Sequence, residues 1–213
     1  KVFPDDGLIG EESDTGEGIT CEVPRRGTRS WVIDPIDGTN NFIAGLGCYA
    51  VCIGLVEDGH PVAGVVHDVA RDEVWYAHRG HGAFRDGRGI ACASGPLGDA
   101  TLVMLSSNLI VPGGGLPSWL MPFFSDQPFK LRILGSAALE AVSVADGTAH
   151  AAVTLNGKLW DIAAPAAIVA EAGGHLLRPD GGPLCPFRTA GYAGEKVPFV
   201  VTAPNADLLA HMR

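Results

Sequence analysis

At 213 residues with 46% hydrophobic content, the chain is long enough to bury a real core, as one large domain or two small ones. A net charge of −9, with no basic stripe carrying interleaved aromatics, argues against a nucleic-acid partner. No apolar run approaches the ~20 residues of a membrane span and no charged-then-apolar leader is present, so no membrane partner is expected and the expected address is cytoplasmic.

The chain opens on Lys1-Val2-Phe3-Pro4, without an initiator methionine, and is expected to begin inside a domain. Gly10-Glu11-Glu12-Ser13 follows two apolar residues and gives way to a polar, glycine-rich stretch, 14–27, which reads as a mobile loop. Taken alone, an exposed Glu11-Glu12 pair at a strand end is solvated charge.

Trp31-Val32-Ile33 reads as a buried strand running into Asp34. Pro35 lacks the N–H a ladder needs, so the strand is expected to stop there, leaving Asp34 and Asp37 on one tight turn. Gly38 permits close approach of a ligand, and Thr39-Asn40-Asn41 is rich in capping residues, so a helix is predicted just after Asp37. Its free N–H groups and positive dipole end suit a phosphate. The two carboxylates would repel each other and that phosphate unless cations lay between them, and magnesium prefers such hard oxygen ligands. An Asp-x-x-Asp by itself is also compatible with a surface turn and a cap.

From Tyr49 to Val56 the sequence is apolar and β-branched, and Asp58-Gly59 closes it with a hairpin signal. Strands over 61–69 and 73–77 and a second hairpin at Asp86-Gly87 complete an antiparallel meander. The irregular spacing of His60, His67, His78 and His81 along it fits surface positions, not a ligand set. Cys48 and Cys52 on one strand would lie ~13 Å apart at ~3.3 Å per residue, too far for a disulfide, and all five cysteines are expected to be reduced.

Between Gly95 and Asp99 the composition turns to Gly, Pro and Ser, and hairpins give way to alternating strand and helix, which places a boundary between halves 1–99 and 100–213. Strands are predicted over 101–105, 130–134, 149–154 and 199–202, with a glycine-bearing loop over 112–117. Ser136 caps an alanine-rich helix that Asp146-Gly147 stops. Trp160-Asp161 leads another helix ended by Gly173-Gly174, with Pro165 expected in its first turn, and Asn205 caps a closing helix. On its own Asp161 is an N-cap residue.

The string Asp34-Pro35-Ile36-Asp37-Gly38-Thr39-Asn40-Asn41-Phe42 resembles the signature of the inositol monophosphatase family, magnesium-dependent, lithium-sensitive phosphatases. Two further motifs follow the family's order: Ile9-Gly10-Glu11-Glu12-Ser13 upstream, and Leu159-Trp160-Asp161-Ile162-Ala163-Ala164 with Glu171-Ala172-Gly173-Gly174 downstream. The resemblance implies an α+β half followed by an α/β half in a layered αβαβα sandwich of the inositol monophosphatase and fructose-1,6-bisphosphatase type. The helical hairpin that opens that fold is not in this sequence.

The resemblance also implies the site. Glu11, Asp34 and the carbonyl of Ile36 hold one magnesium ion, Asp34, Asp37 and Asp161 a second, and a third ion is an open question. Water on the first ion, oriented by Glu11 and Thr39, attacks phosphorus directly while Asp37, Gly38 and Thr39 sit against the phosphate. Gly135-Ser136-Ala137, Ser106 and Ser107 line the substrate together with Asp161. Thr154 stands where relatives that grip inositol often carry a glutamate; it can bond a hydroxyl but offers no charge. The implied activity is hydrolysis of inositol monophosphate or a similar polyol phosphate by a homodimer. Histidinol phosphate or fructose 1,6-bisphosphate phosphatase, and a metal- and phosphate-binding relative without turnover, are the alternatives.

Overall fold

The computed structural model describes residues 3–12, 18–95, 97–109, 115–121 and 129–204. Ser13 of the upstream motif, the predicted loop at 112–114 and the helix after Asn205 lie outside them.

The first sheet has eight strands: β1 (Gly7–Gly10), β2 (Thr20–Glu22), β3 (Ser30–Asp37), β4 (Ala50–Glu57), β5 (His60–Asp68), β6 (Glu73–His78), β7 (Ala83–Arg85) and β8 (Arg88–Ile90). Their spatial order is β2-β1-β3-β4-β5-β6-β7-β8, so β3 to β8 form the antiparallel meander that the hairpin signals predict. At both predicted hairpins the two turn residues have positive φ, Asp58 with Gly59 and Asp86 with Gly87, as a two-residue turn between right-twisted strands requires. β1 pairs parallel to β3, and β2 antiparallel to β1. The stretch expected to be loop over 14–27 therefore contains an edge strand, Thr20–Glu22, too short and too polar to announce itself.

The second sheet consists of β9 (Leu102–Leu105), β10 (Lys130–Arg132), β11 (Ala151–Thr154), β12 (His175–Leu177) and β13 (Phe199–Thr202), ordered β10-β9-β11-β13-β12. β9, β10 and β11 run parallel, while β13 is antiparallel to both its neighbours.

Helix α1 (Thr39–Ala44) follows β3 directly, and α2 (Ala137–Ala145) and α3 (Leu159–Glu171) lie between the two sheets. α3 packs on β3 to β6 on one side and touches β12 on the other; α2 packs along α3 and reaches β9, β11 and β13. Residues Ile162 to Val169 of α3 are all buried, as a helix apolar all round must be. Its small residues let the sheet come close. A Cβ on Gly64 would stand 2.2 Å from the carbonyl oxygen of Ala164, and one on Gly54 would stand 2.8 Å from the carbonyl carbon of Ala163. One continuous core, from Ile9 and Val32 through Val66 and Trp75 to Ile168 and Phe199, therefore joins both sheets through the helix layer.

Two local expectations are corrected. Pro165 lies in the second turn of α3, not the first. It is accommodated where the helix is enclosed between sheets, and its missing N–H removes the usual i→i−4 bond to the carbonyl of Asp161. Strand β3 also does not stop at Pro35 but continues to Asp37 through a bulge.

Candidate active site

That bulge creates the site. Asp34 pairs with Cys52 and Asp37 with Ala50, so Pro35 and Ile36 together face a single residue of β4. In a regular strand, residues three apart point to opposite faces; one extra residue brings Asp34 and Asp37 to the same face. Both are buried, with 1% and 7% of their surface exposed. Pro35 sits where the ladder is interrupted, so its lack of an N–H costs nothing there, and the N–H of Ile36 is satisfied by Asp34 Oδ1 at 3.0 Å.

Asp161 arrives from the other half of the chain. It is the third residue of α3 and not its N-cap, which is Lys158; its Oδ2 reaches back to accept from the N–H of Lys158 at 2.8 Å. Lys158 Nζ in turn donates to the carbonyl of Gly194. One oxygen from each of Asp34, Asp37 and Asp161 lies within 4.8 Å of the others, the only such acidic, histidine or cysteine cluster among the described residues. Glu11, just after β1, opens on the same cavity.

The electrostatics follow from this crowding. Burial pushes the carboxyl of Asp34 far above the usual carboxylate range, and the charges of Asp37, Glu11 and Asp161 push it further. Burial also raises Asp161, with Asp37 adding to it. Asp37 is raised by burial but held back by hydrogen bonds. Its Oδ2 accepts from Ser136 Oγ at 2.5 Å and from the N–H of Ala138 at 2.8 Å, and its Oδ1 from the N–H of Ala137 at 3.3 Å. Asp37 thus caps α2 from across the cleft. The donor set is entirely hard oxygen, held together against its own repulsion, and fits a divalent cation of the magnesium type.

Gly38 caps α1 at φ +86°, a backbone conformation that favours glycine; a Cβ there would stand 2.8 Å from the Cys48 carbonyl oxygen. Thr39 Oγ1 donates to the Ile36 carbonyl at 2.9 Å, tying together two residues that the sequence assigns to different roles. The cavity that the acidic residues open on has a volume of about 250 Å³, and Ile36, Gly38, Thr39, Ser106, Gly135, Ala137, Thr154 and Asp161 line it. Ser136 is fully buried and gives its hydroxyl to Asp37, so it supports the acidic turn from behind while Gly135 and Ala137 face the cavity.

Two residues do more in the fold than the sequence assigns them. Asn41 Nδ2 donates to the carbonyls of Cys48 and Leu134, each at 2.7 Å, and so ties α1 to the turn before α2. Glu140 is 1% exposed on α2 and also lines the cavity. Its Oε1 accepts from the N–H groups of Leu134 at 2.9 Å and Gly135 at 3.1 Å. Burial raises its carboxyl to about 8. The available signal was a lone acid on a helix otherwise built from Ala, Leu, Val and Ser.

Two sheets enclosing a helix layer, with carboxylates from separate parts of the chain converging on one cleft, define a layered α/β class of protein with an acidic site suited to a divalent cation. The profile of the inositol monophosphatase family matches residues 1–210, and the chain belongs to that family. It is 36% identical over 176 residues to a fructose-1,6-bisphosphatase/inositol-1-monophosphatase of Thermotoga maritima, covering 83% of this chain and 63% of that one. It is 35% identical to a histidinol-phosphatase of Mycobacterium tuberculosis, covering 84% and 67%. The solved Thermotoga maritima inositol monophosphatase superposes with a TM-score of 0.78 at 30% identity, over 99% of this chain and 75% of that one. The chain spans just under two thirds of the Thermotoga relative's sequence.

Proposed function

We propose that the protein is a magnesium-dependent phosphomonoesterase acting on inositol monophosphate or a similar polyol or sugar phosphate. One observation carries this reading: oxygen atoms of Asp34, Asp37 and Asp161 stand within 4.8 Å of one another at the head of a cleft, in a chain of this family. Asp34 would be shared between two cation sites, with Glu11 and the Ile36 carbonyl completing one and Asp37 and Asp161 the other. Magnesium bound there would offset the mutual repulsion, polarise the phosphoryl oxygens and lower the pKa of the attacking water.

The chain's own groups do the rest. Glu11 and Thr39 orient the water, Thr39 being steadied by the Ile36 carbonyl. The N–H groups of Gly38 and Thr39, free at the start of α1, hold phosphate oxygens beside Asp37. Gly135, Ala137, Ser106 and Thr154 face the alcohol portion of the ester, with Ser136 behind them. The half 1–99 supplies the cation and phosphate groups and the half 100–213 the substrate wall and Asp161. The expected setting is a cytoplasmic homodimer binding two or three magnesium ions. Among the described residues no helix is long and apolar enough to cross a membrane.

A phosphate-release panel of inositol 1-phosphate, fructose 1,6-bisphosphate and histidinol phosphate, each with and without magnesium, tests the reading. Magnesium-dependent release is the expected result; release from none of them, with the fold intact, overturns it.

A further inference from the structure

Six buried side-chain atoms have no hydrogen-bond partner among the described residues, and the residues carrying three of them, Ser106 Oγ, Glu140 Oε2 and Thr154 Oγ1, line the same cavity. A buried polar atom left unpaired costs free energy, typically ~1–3 kcal/mol, so a folded chain rarely leaves several of them around one space. Two of the three residues come from adjacent strands of the second sheet. Ser106 follows β9 and donates its N–H to the Val153 carbonyl at 2.9 Å, and Thr154 ends β11 next to it.

The third residue is of a different kind. A carboxyl that is 1% exposed and has one oxygen fully paired and the other bare is the most costly polar group on the wall. A structural cap for the turn before α2 needs only Oε1. A glutamine, or any side chain offering one carbonyl oxygen there, would serve equally well and avoid burying an acid whose pKa is raised to about 8. The bare Oε2 is therefore the feature that the structural role leaves without purpose. Hydroxyls are the ligand groups that suit all three atoms, since each can donate to a carboxyl oxygen and both donate to and accept from Ser and Thr.

We infer that Glu140 is a specificity-determining residue whose Oε2, in the carboxylate form, accepts a hydrogen bond from a substrate hydroxyl, with Ser106 and Thr154 completing a subsite for the polyol portion of the ester. This rests on the phosphatase reading and refines it. Hydroxylated alcohols are selected because only they satisfy the wall; aryl or alkyl phosphates leave it unpaired and gain nothing from it.

The test, run at about pH 9 so that the Glu140 carboxyl is ionised, compares wild type with Glu140→Gln on inositol 1-phosphate, its singly deoxygenated analogues and phenyl phosphate, which has no hydroxyl. Gln keeps the Oε1 cap but replaces the acceptor at Oε2 with a donor. Glu140→Gln is expected to lower kcat/KM for inositol 1-phosphate ~10- to 100-fold and leave phenyl phosphate within about 2-fold. In wild type, at least one deoxygenation should cost as much, and in the variant that same deoxygenation should cost little. Equal retention of both substrates, or an equal fall on both, overturns the inference while leaving the phosphatase reading standing. Should the variant fail to fold, a wild-type series in which no deoxygenation matters overturns it alone. No release from any ester by folded wild type instead defeats the underlying reading.

Discussion

The two walls of the cleft are built on opposite terms. On one, the bulge of β3 and the start of α3 carry acidic groups that each accept hydrogen bonds from the backbone or a hydroxyl: Asp37 accepts three from the start of α2, Asp161 one from Lys158, and Asp34 one from Ile36. On the other, Ser106, Glu140 and Thr154 keep bare polar atoms. On the proposed function, the first wall is preorganised for a cation and a phosphate, and the second is completed by the alcohol of the ester. Chemistry and selectivity would thus be separated, so that a fold shared by phosphatases with different named substrates could change one without disturbing the other.

The sharpest way to break this comparison is to remove a charge from the first wall. Asp34→Asn should lower kcat at least ~1,000-fold on every ester alike, because it removes the ligand proposed to be common to two cation sites. It should also raise the thermal midpoint of the cation-free protein, since it relieves repulsion in a buried cluster. A loss confined to one substrate would place Asp34 on the wrong wall. Next in size is the scaffold that brings the walls together. Gly64→Ala puts a Cβ against the Ala164 backbone and should destabilise the fold by ~1–3 kcal/mol, read as a shift in denaturation midpoint.

The pH dependence of the cation-free protein separates the walls in another way. Asp34, Asp37, Asp161 and Glu140 all have carboxyls raised in the folded state, Glu140 to about 8. Raised carboxyl pKa values favour the fold most fully below the unfolded values near ~4, and that contribution is lost as pH rises through the folded values. The midpoint should therefore fall between about pH 4 and about pH 10, the value to which burial and neighbouring charge raise Asp34. Magnesium should flatten most of the fall, leaving the part due to Glu140, which Glu140→Gln should remove.

The smallest effect is expected where one wall supports itself. Ser136→Ala removes the hydroxyl that both donates to Asp37 and caps α2 through the Leu139 N–H. It should cost ~1–2 kcal/mol of stability and weaken magnesium binding several-fold, without changing the ratio of rates on polyol and phenyl phosphates. A changed ratio would mean that Ser136 belongs to the substrate wall.

This same division governs how much the sequence disclosed. The acidic wall is written in short local motifs, so Asp34 to Phe42, with Glu11 and Asp161 at the expected order, were legible as candidates. The hairpins at Asp58-Gly59 and Asp86-Gly87 and the span of α2 were legible for the same local reason. What escaped depends on partners distant in the chain. The bulge exists only against β4, so Pro35 reads as a strand end until its neighbour is known. β2 and β12 are three-residue strands held by pairing rather than pattern. Glu140 looked like an ordinary helix residue because nothing nearby in sequence shows that its face is buried or that one oxygen is left bare.

Calorimetric titration of magnesium into chelator-treated wild type, Asp34→Asn and Asp161→Asn tests the central claim most directly, because the two aspartates share nothing in sequence and meet only in the folded cleft. Saturable binding in wild type that is lost or weakened at least ~10-fold in both variants, with each still folded, is the predicted result. Unchanged magnesium binding in either variant would contradict it.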